Sequence, residues 1–315
     1  MRAAVIDRYG TPDVVRITDV PTPTPRADEV LVRVVATAVT AADSRIRAAR
    51  FPKGFAPFAR LAFGASRPRR TILGGVFSGR VEAVGATVTG LSPGDEVCGM
   101  TGVRLGAHAQ YVVVPAKRIV RKPAKVTHED AAGVLFGGTT ALYFLRDRAA
   151  VRPGQSVLVN GASGAIGTNA VQLARHFGAS VTAVTSTRNN RLVTELGADR
   201  VIDYTTTDLA DVPDRFDVVL DTVGNLSPAS GRRLLTDKGV LLLAAADLWA
   251  TVRARGAVKA GAAPERVEDI ELLLLMVADG ELSAVVDRVC DLDGIAAAHQ
   301  RVDSGRKVGN IIVRP

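Results

Sequence analysis

The 315-residue sequence predicts an α/β fold in which a doubly wound parallel sheet is combined with a smaller, mostly β domain. Strand and helix patterns alternate through residues 126 to about 262, which is typical of a parallel sheet with helices on both faces. Residues 1 to about 120 instead hold short runs rich in β-branched residues, separated by Gly and Pro, and these runs favour a barrel-like domain. A glycine-rich turn between a strand and a helix lies inside the alternating part.

The individual elements follow from hydrophobic periodicity and from Gly and Pro punctuation. In the N-terminal part, strand patterns cover residues 3–6, 29–36, 78–83 and 109–114. In the alternating part they cover residues 156–160, 180–185, 200–202, 217–221, 240–245 and 258–261. A helix over residues 266–278 and strands near 285–289 and 310–313 are predicted for the C-terminal part.

The glycine-rich turn carries the strongest motif, in the run VLVNGASGAIGTNAVQLARHFGA at residues 157–179. Its Ala162-to-Gly167 part fits the dinucleotide-binding fingerprint with Ala in the first place. Gly164 would let the backbone approach a pyrophosphate, and Gly167 would let the helix pack close to its strand. The N–H groups at the helix start would face the phosphates. The predicted contacts are Ser163, Gly164, Ala165, Ile166 and Gly167.

The next strand, over residues 180–185, indicates which dinucleotide binds. An NAD-selective site places an acid after this strand to bind the ribose 2′-hydroxyl, but the first acid here is Glu195, inside the following helix. The corner instead holds Ser186, Thr187, Arg188 and Arg191, and arginine suits a 2′-phosphate. The sequence therefore favours NADPH. If the two arginines are merely solvated residues at a helix start, the choice of cofactor stays open.

Composition narrows the class of protein. The net charge of +8 is compatible with anionic ligands, an acidic membrane surface or nucleic acid, but no arginine-rich tail or aromatic-interleaved basic region supports nucleic-acid binding. Two distant cysteines, Cys98 and Cys290, fit a reducing compartment. Asp7 interrupts any signal-peptide core, and no apolar run is long enough to span a membrane. We expect a cytoplasmic protein.

Several strings in order make the chain similar to a known family. They are AGVLFGGTTALYFL, VRPGQSVLVNGASGAIGTNAVQLA, ELGADRVIDY, FDVVLDTVG and GRKVGNIIV. The chain resembles the medium-chain dehydrogenase/reductase superfamily, in its zinc-independent quinone oxidoreductase (zeta-crystallin-like) branch. The resemblance implies a GroES-like substrate domain from residues 1–125 and 263–315, a Rossmann domain over 126–262, an active site in the cleft between them, and a homodimer.

Further cofactor contacts are implied by the same resemblance. Thr140 aligns with a family threonine near the nicotinamide and phosphates, and Asn310 lies where the family returns its tail to the cleft. The residues Thr222, Val223, Gly224, Ala244 and Ala245 follow two strands at the carboxyl edge, where such sheets bind ligands.

The chain departs from the zinc-dependent members of the family. The first Cys ligand position aligns with residues 40–43, the GHE-like position falls in residues 73–79, and neither segment holds Cys, His or Glu. The four-cysteine structural loop is missing, and His108, His128, His176 and His299 are scattered along the sequence. Zinc needs three or four such ligands. We therefore expect no metal.

The substrate side also departs from the family, which often has an Asn-Pro-x-Asp run near the nicotinamide. Here the run is Thr40-Ala41-Ala42-Asp43. Thr40 can donate one hydrogen bond, and Asp43 either assists or pairs with Arg47 one helical turn on. Thr40 and Asp43 are the catalytic candidates. No tyrosine follows the run, which disfavours a tyrosine-dependent enoyl reduction.

The segment 51–63 holds four of the nine Phe and is followed by Arg67, Arg69 and Arg70. It is interpreted as an apolar lid or wall of the substrate cleft, or as core packing or a dimer contact. The arginines would attract an anionic substrate tail or be solvated loop residues.

The expected activity is NADPH-dependent, zinc-independent hydride transfer to a small conjugated acceptor, a quinone or an enone. Without zinc no strong Lewis acid polarises a simple ketone, whereas a conjugated acceptor needs less polarisation. Two alternatives remain: an enoyl-thioester or biosynthetic C=C reductase, and a non-catalytic NADPH-binding structural or sensing protein.

Overall fold

A computed structural model describes residues 1–51 and 53–315 of the chain. Its strands are β1 (Arg2–Val5), β2 (Arg16–Asp19), β3 (Glu29–Val39), β4 (Val76–Val84), β5 (Glu96–Met100), β6 (Tyr111–Pro115), β7 (Ile119–Arg121), β8 (Ser156–Asn160), β9 (Ser180–Thr185), β10 (Arg200–Asp203), β11 (Phe216–Asp221), β12 (Leu235–Leu243), β13 (Val258–Ala260), β14 (Val286–Asp291) and β15 (Asn310–Arg314).

The helices are α1 (Ala41–Arg47), α2 (Ala56–Phe63), α3 (His128–Leu142), α4 (Ala165–His176), α5 (Asn190–Glu195), α6 (Pro228–Arg232), α7 (Leu248–Val252), α8 (Val267–Ala278) and α9 (Ile295–Asp303). A π-helical turn, Tyr143–Arg148, extends α3. These elements form two compact units. The first comprises residues 1–51, 55–136 and 265–315, and the second comprises residues 53–54 and 137–264.

The division between the units lies inside α3. The sequence analysis assigned residues 126–136 to the parallel-sheet domain, whereas they pack with the first unit. A Cβ at Gly133 would lie 3.4 Å from Ala284 Cβ and 3.6 Å from a methyl of Val286. The Asn310 amide also donates a 2.6 Å hydrogen bond to the Gly133 carbonyl. These contacts tie the first half of α3 to the C-terminal strands.

The second unit is built on a six-stranded sheet in the order β10-β9-β8-β11-β12-β13. All of its strand pairs are parallel, as the alternating sequence pattern predicts. The order reverses beside β8, where the connection to α4 leaves the sheet, and parallel sheets bind ligands at such a switch point. Leu158, Val219 and Leu241 lie in its apolar core and are completely buried.

The first unit is built on a mostly antiparallel sheet in the order β14-β15-β3-β4-β5-β7, with β6 also pairing with β3. The long strand β3 is its centre, because it pairs with β4, β6 and β15. It runs three residues beyond the predicted end at residue 36. There the Thr37 hydroxyl donates to the Val76 carbonyl, and Val39 pairs with Ile311. This extension carries the chain to Thr40.

Both cysteines are free thiols. Cys98 lies in β5, is completely buried, and burial raises the pKa of its thiol to about 12. Cys290 lies in β14, where partial burial and the neighbouring Asp291 raise its pKa. Within residues 1–51 and 53–315, no helix has the length and apolarity needed to cross a membrane.

Candidate functional site

Two glycines where β8 leads into α4, Gly161 and Gly167, have no space for a side chain. Gly161 has φ of +83°, and a Cβ there would lie 2.5 Å from Thr222 Oγ1. Gly161 therefore makes the tight turn, directly before Ala162, which stands at the first fingerprint position. A Cβ at Gly167 would lie 2.1 Å from the Gly161 carbonyl oxygen. The close packing of α4 against the turn thus requires glycine at both ends.

Gly164 differs from these two glycines. It is the residue before α4, in extended backbone, and a Cβ there would meet only the Gly161 oxygen, at 3.4 Å. No side chain of the described residues caps this helix start, and its first turn holds no acid. The N–H groups at the start of a helix need acceptors and carry the positive end of the helix dipole. The region around Ser163, Ala165 and Ile166 is therefore suited to an anion.

Helix α3 approaches the same helix start through Gly137. A Cβ at Gly137 would lie 2.0 Å from the Ala165 carbonyl oxygen, so only glycine permits this contact. Thr140 lies one helical turn further along α3, half-buried, on the face that Gly137 occupies. The structure thus brings the predicted Thr140 close to the predicted α4 contacts.

A network of hydrogen bonds between hydroxyl and amide side chains lies at the end of β9. The Ser163 hydroxyl accepts hydrogen bonds from Thr185 Oγ1 at 2.9 Å and from Asn189 Nδ2 at 3.0 Å. Asn189 is buried and also reaches Ser186 Oγ at 3.4 Å. This network fixes the backbone of the fingerprint turn against the corner at Ser186 and Thr187. The sequence analysis missed Asn189, whose role depends on residues far from it in sequence.

One acid, Asp203, lies beside the residues that follow β9. The Thr187 hydroxyl donates to Asp203 Oδ2, and the Thr205 hydroxyl donates to Oδ1 at 2.6 Å. These bonds hold the pKa of Asp203 below its ordinary value. The expectation that no acid stands here was therefore wrong, because Asp203 comes from β10 rather than from the segment after β9. Its oxygens are engaged by threonine hydroxyls.

Two other side chains complete the corner. Tyr204 follows Asp203, its N–H donates to the Thr185 carbonyl at 3.1 Å, and its ring is 60% exposed. Arg188 is exposed on the short helical turn after β9. Arg191, by contrast, forms a 2.7 Å ion pair with Glu195 on the solvent side of α5. The predicted Arg191 contact would require that pair to open.

The loops after β11 and β12 are organised by a buried carboxylate. Asp221 is completely buried; its Oδ1 accepts from the Val223 and Gly224 N–H groups, and its Oδ2 accepts from Leu226 N–H, all at 3.0 Å. Asn160 donates to the same carboxylate at 3.0 Å.

A close approach then joins the two loops. Gly224 has φ of +87°, and a Cβ there would lie 3.0 Å from the Ala245 oxygen. The Thr222 hydroxyl donates to the Asn160 carbonyl at 2.8 Å, and Ala244 N–H donates to the Asp221 carbonyl at 2.9 Å. The predicted contacts at 222–224 and 244–245 are therefore neighbours at the carboxyl edge of the sheet.

In the first unit, Thr40 and Asp43 form a capping box at the start of α1. The Thr40 hydroxyl donates to Asp43 Oδ2 at 2.6 Å and accepts from Asp43 N–H, while Thr40 N–H donates to Oδ2 at 2.9 Å. Asp43 Oδ1 accepts from Gly74 N–H at 3.0 Å. Both side chains are buried, and they satisfy each other. This arrangement favours a positioning role over direct catalysis.

The expected pair between Asp43 and Arg47 does not form. Arg47 is completely buried and makes a 2.5 Å ion pair with Asp303 of α9, and its other terminal nitrogen donates to the Gly10 carbonyl. The Ser44 hydroxyl also donates to Asp303. The i, i+4 expectation was wrong because Asp43 lies at the third position of the helix, where backbone N–H groups engage its carboxylate.

A histidine pair lies beside Arg47. His108 and His299 are both buried, with ring centroids 5.8 Å apart. His108 Nε2 lies 3.2 Å from the Ala38 carbonyl, whereas neither ring nitrogen of His299 has a hydrogen-bond partner among the described residues. Burial holds the pKa of His299 well below its ordinary value, and His108 and Arg47 lower it further.

Asn310 is the remaining predicted contact. Its side chain is buried in β15 and donates to the Gly133 carbonyl, so within the first unit it holds α3 to the sheet. Its Oδ1 has no partner among the residues that the structure describes. No cofactor role follows from these contacts.

The residues present do not fit a zinc ion. Within the described ranges no three His, Cys, Asp or Glu side chains come close enough to hold a metal. Around Thr40 the neighbouring strand segment is Gly74-Gly75-Val76, which has no side-chain donor, and Asp43 is saturated by N–H and hydroxyl groups. The paired His108 and His299 lack a third ligand.

Two family models match the chain. Residues 26–124 match the alcohol dehydrogenase GroES-like domain, and residues 196–313 match a zinc-binding dehydrogenase domain. The second family is described as zinc-binding, whereas the described residues of this chain offer no set of zinc ligands.

Relatives match over most or all of the chain. It is 31% identical to a 2-methylene-furan-3-one reductase of Solanum lycopersicum, covering 100% of this chain and 79% of the relative. It is 34% identical to the chloroplastic NADPH-dependent alkenal/one oxidoreductase of Arabidopsis thaliana, over 71% of this chain and 58% of the relative. Among solved structures, the quinone oxidoreductase from Coxiella burnetii superimposes with a TM-score of 0.89 at 27% identity, covering 100% of this chain and 99% of that one.

Proposed function

The chain belongs to the medium-chain dehydrogenase/reductase superfamily and is an oxidoreductase, and we propose that it is an NADPH-dependent, zinc-independent reductase of quinones or other conjugated carbonyl compounds. The observation that carries the proposal is the uncapped start of α4 beside an open Gly164, with Arg188 at the end of the neighbouring strand. This arrangement suits a dinucleotide that carries an additional phosphate.

The preference for NADPH over NADH is argued from the charges at the end of β9. Arg188 offers a planar set of donors, and the neighbouring Ser186 hydroxyl and the exposed Tyr204 phenol add two more. Asp203, the one acid there, is occupied by Thr187 and Thr205, so its oxygens are not directed at a ribose hydroxyl.

When bound, NADPH supplies a hydride from the nicotinamide ring, and the protein's task is to bind, orient and keep the site dry. The α4 start and Gly164 hold the diphosphate, while the Asp221-organised loop at 222–224 and the residues 244–245 line the carboxyl edge. Thr140 lies one turn beyond the contact of α3 with α4. Thr40 and Asp43 fix the start of α1.

The acceptor class follows from the same residues. Without a metal ion, no strong Lewis acid polarises a simple carbonyl group, so alcohol oxidation and ketone reduction are disfavoured. A quinone or an α,β-unsaturated carbonyl spreads the incoming charge over its own conjugated atoms. The reductase and oxidoreductase names of the two plant relatives support this class of acceptor.

The test is NADPH oxidation at 340 nm against a panel of quinones and enones, with NADH and EDTA arms. Turnover with NADPH that EDTA leaves unchanged is expected. Activity only with crotonyl-CoA would favour the enoyl-thioester alternative, and tight NADPH binding without any turnover would favour the sensing alternative. Loss of activity with EDTA would contradict zinc independence.

A variant pair tests the coenzyme preference. Arg188→Ala is expected to raise the Kd for NADPH about tenfold or more, because a hydrogen bond to a charged group is worth about 1.5–3 kcal/mol, and to leave the Kd for NADH unchanged. Arg200→Ala is the matched control, because Arg200 lies at the opposite end of β10 and pairs with Asp214. An equal loss for both coenzymes would contradict the assignment of Arg188.

A homodimer and a cytoplasmic location are proposed as well. The dimer is supported by the family resemblance and by the three-residue strand β13, which lies at the edge of the parallel sheet with one side unpaired in the chain. The location is supported by the two free thiols, as expected in a reducing compartment. Light scattering would show one subunit mass if the dimer proposal is wrong.

A further inference from the structure

Helix α2 exposes an apolar face that no other residue described by the structure covers. None of its residues is buried, and Phe58 and Leu61 are 64% and 71% exposed. These two side chains lie three residues apart and therefore share one face of the helix. Contiguous apolar surface of this kind marks an interaction site more often than single exposed residues do.

The opposite side of α2 anchors it to the first unit. Phe63 stacks on Phe51 with ring centroids 6.3 Å apart and packs against the buried cluster around Ile46 and Leu73. The Tyr9 hydroxyl lies 3.0 Å from the Phe63 carbonyl and 2.7 Å from the Gly64 carbonyl, within hydrogen-bonding distance of both. The core-packing interpretation of the aromatic segment thus holds for Phe51 and Phe63. It does not hold for Phe58, which has no such contacts.

Four arginines lie in α2 and in the loop directly after it. Arg60 lies in α2, and Arg67, Arg69 and Arg70 lie in the loop that follows. This loop is held against the helix, because Arg69 N–H donates to the Phe63 carbonyl at 2.7 Å and the Arg69 side chain donates to the Leu61 carbonyl at 2.8 Å. Between Asp43 and Glu82 the sequence holds no Asp or Glu at all.

We propose that α2 and the loop to Arg70 form a peripheral attachment surface for an anionic lipid bilayer. Phe58 and Leu61 would enter the boundary between headgroups and acyl chains, and the exposed Arg67 and Arg70 would bind lipid phosphates. A surface that is both apolar and uniformly basic matches a bilayer whose interior is apolar and whose headgroups are acidic. This attachment is independent of which acceptor the enzyme reduces.

A second copy of the chain is a poorer occupant for this surface. A two-fold contact would place the same face of two subunits together, and their arginines would then face each other with no acid between residues 44 and 81 to compensate. A bilayer has no such repulsion. A soluble acidic protein is the other class of partner, and the test distinguishes it.

The first experiment is co-sedimentation of the full chain with phosphatidylglycerol-containing vesicles and with pure phosphatidylcholine vesicles. We expect binding to the anionic vesicles that weakens as salt screens the charges. Phe58→Ser with Leu61→Ser should reduce binding about 100-fold or more, since each fully buried apolar side chain contributes about tenfold or more. Arg67→Gln with Arg70→Gln should reduce it about fivefold for each arginine.

Matched controls separate the surface from general charge and hydrophobicity. Val103→Ser with Val289→Ser removes two exposed apolar side chains outside the surface, and Arg16→Gln with Arg152→Gln removes two charges outside it. Both control proteins should bind vesicles within about twofold of the parent at equal salt. A basic side chain gains about 1 kcal/mol from anionic lipid only where it lies at the bilayer surface, and these substitutions lie outside the proposed surface.

A second readout reports insertion directly. Trp249 is the only tryptophan, so Trp249→Phe combined with Phe58→Trp places the sole indole in α2. Brominated phosphatidylglycerol should quench its fluorescence. The proposal is overturned if the indole stays unquenched, if neutral and anionic vesicles bind equally, or if the Phe58 and Leu61 substitutions change only the subunit mass or the capture of a soluble acidic protein.

Discussion

Helices α1 and α4 each follow a strand, but their first N–H groups differ in whether side chains of the protein bind them. Helix α1 starts with a capping box in which Thr40 and Asp43 satisfy each other and the backbone. Helix α4 starts at Gly164 with no side-chain cap and no acid in its first turn. A helix start that is already capped has little to offer an anion, whereas an uncapped one leaves its N–H groups available to a ligand or to water.

The difference teaches where the chemistry of this protein resides. The proposed cofactor side, at the start of α4, is built from backbone, so the glycines at 161, 164 and 167 decide its shape. The start of α1 at Thr40 is built from side chains that bind one another. The ion pair between the buried Arg47 of α1 and Asp303 of α9 holds this helix in place. Substitutions on the first side should change ligand binding, and substitutions on the second should change stability.

The largest expected effect is on stability, at the ion pair under α1. Asp303→Ala leaves the buried guanidinium of Arg47 without its carboxylate and should lower the free energy of unfolding by about 4 kcal/mol. Urea denaturation measures this loss. Arg47→Met combined with Asp303→Leu should recover part of it, because no charge is then buried alone. If the double variant lost as much free energy of unfolding as the two single variants lose together, Arg47 and Asp303 would not be coupled.

Gly167→Ala should reduce both the stability of the protein and its binding of NADPH. Its Cβ would lie 2.1 Å from a backbone oxygen, which cannot rotate away, so we expect about 3 kcal/mol of lost stability and a loss of NADPH binding. Thermal unfolding and fluorescence titration with NADPH measure the two losses. Gly164→Ala is the control, because its Cβ has space; its stability should stay unchanged while NADPH binding weakens. Equal instability of both variants would remove the distinction between the two glycines.

The unpartnered His299 should make the first unit sensitive to acid. Its pKa is depressed in the folded state, so at low pH the unfolded chain takes up a proton that the folded chain does not. Stability is therefore complete above about pH 7 and falls below about pH 6.5, by up to about 1.4 kcal/mol per pH unit. Chemical denaturation at several pH values gives the slope. His299→Leu should flatten it, whereas His176→Gln, at an exposed histidine, should not.

The smallest effect is expected at Thr40. Thr40→Ala should cost about 1 kcal/mol of stability through the lost cap and reduce kcat less than about tenfold. Thr40→Ser keeps the hydroxyl and should restore both values. A kcat loss of a thousandfold at unchanged stability would instead make Thr40 a catalytic residue, and the contrast between α1 and α4 would then be wrong.

Local sequence rules predicted much of the fold. The strands at 156–160 and 180–185 have their predicted bounds, and the parallel sheet is confirmed, because apolar runs separated by glycine turns are local signals. The place of Gly161, Gly164 and Gly167 where β8 leads into α4 followed from the same local signals, whereas their contact with a cofactor stays a prediction. Strand β3 was predicted too short, because its last residues are held by pairing with β15, which is remote in sequence.

The errors have a common physical cause. Arg47 was expected to bind Asp43, four residues away, but binds Asp303, 256 residues away. Asp203 and Asn189 reach the cofactor corner through contacts between neighbouring strands and their loops, and no spacing rule predicts those contacts. The roles of all the predicted site residues, Thr40, Asn310 and Arg191 among them, stay predictions.

The two thiols have a chemical consequence for an enzyme of this kind. Quinones and enones are electrophiles that alkylate thiolates, and the thiolate rather than the thiol is the reactive form. Cys98 has a pKa of about 12 and is completely buried, and the pKa of Cys290 is raised as well. Both cysteines are therefore protonated at neutral pH, so the protein can turn over such acceptors without being arylated by them.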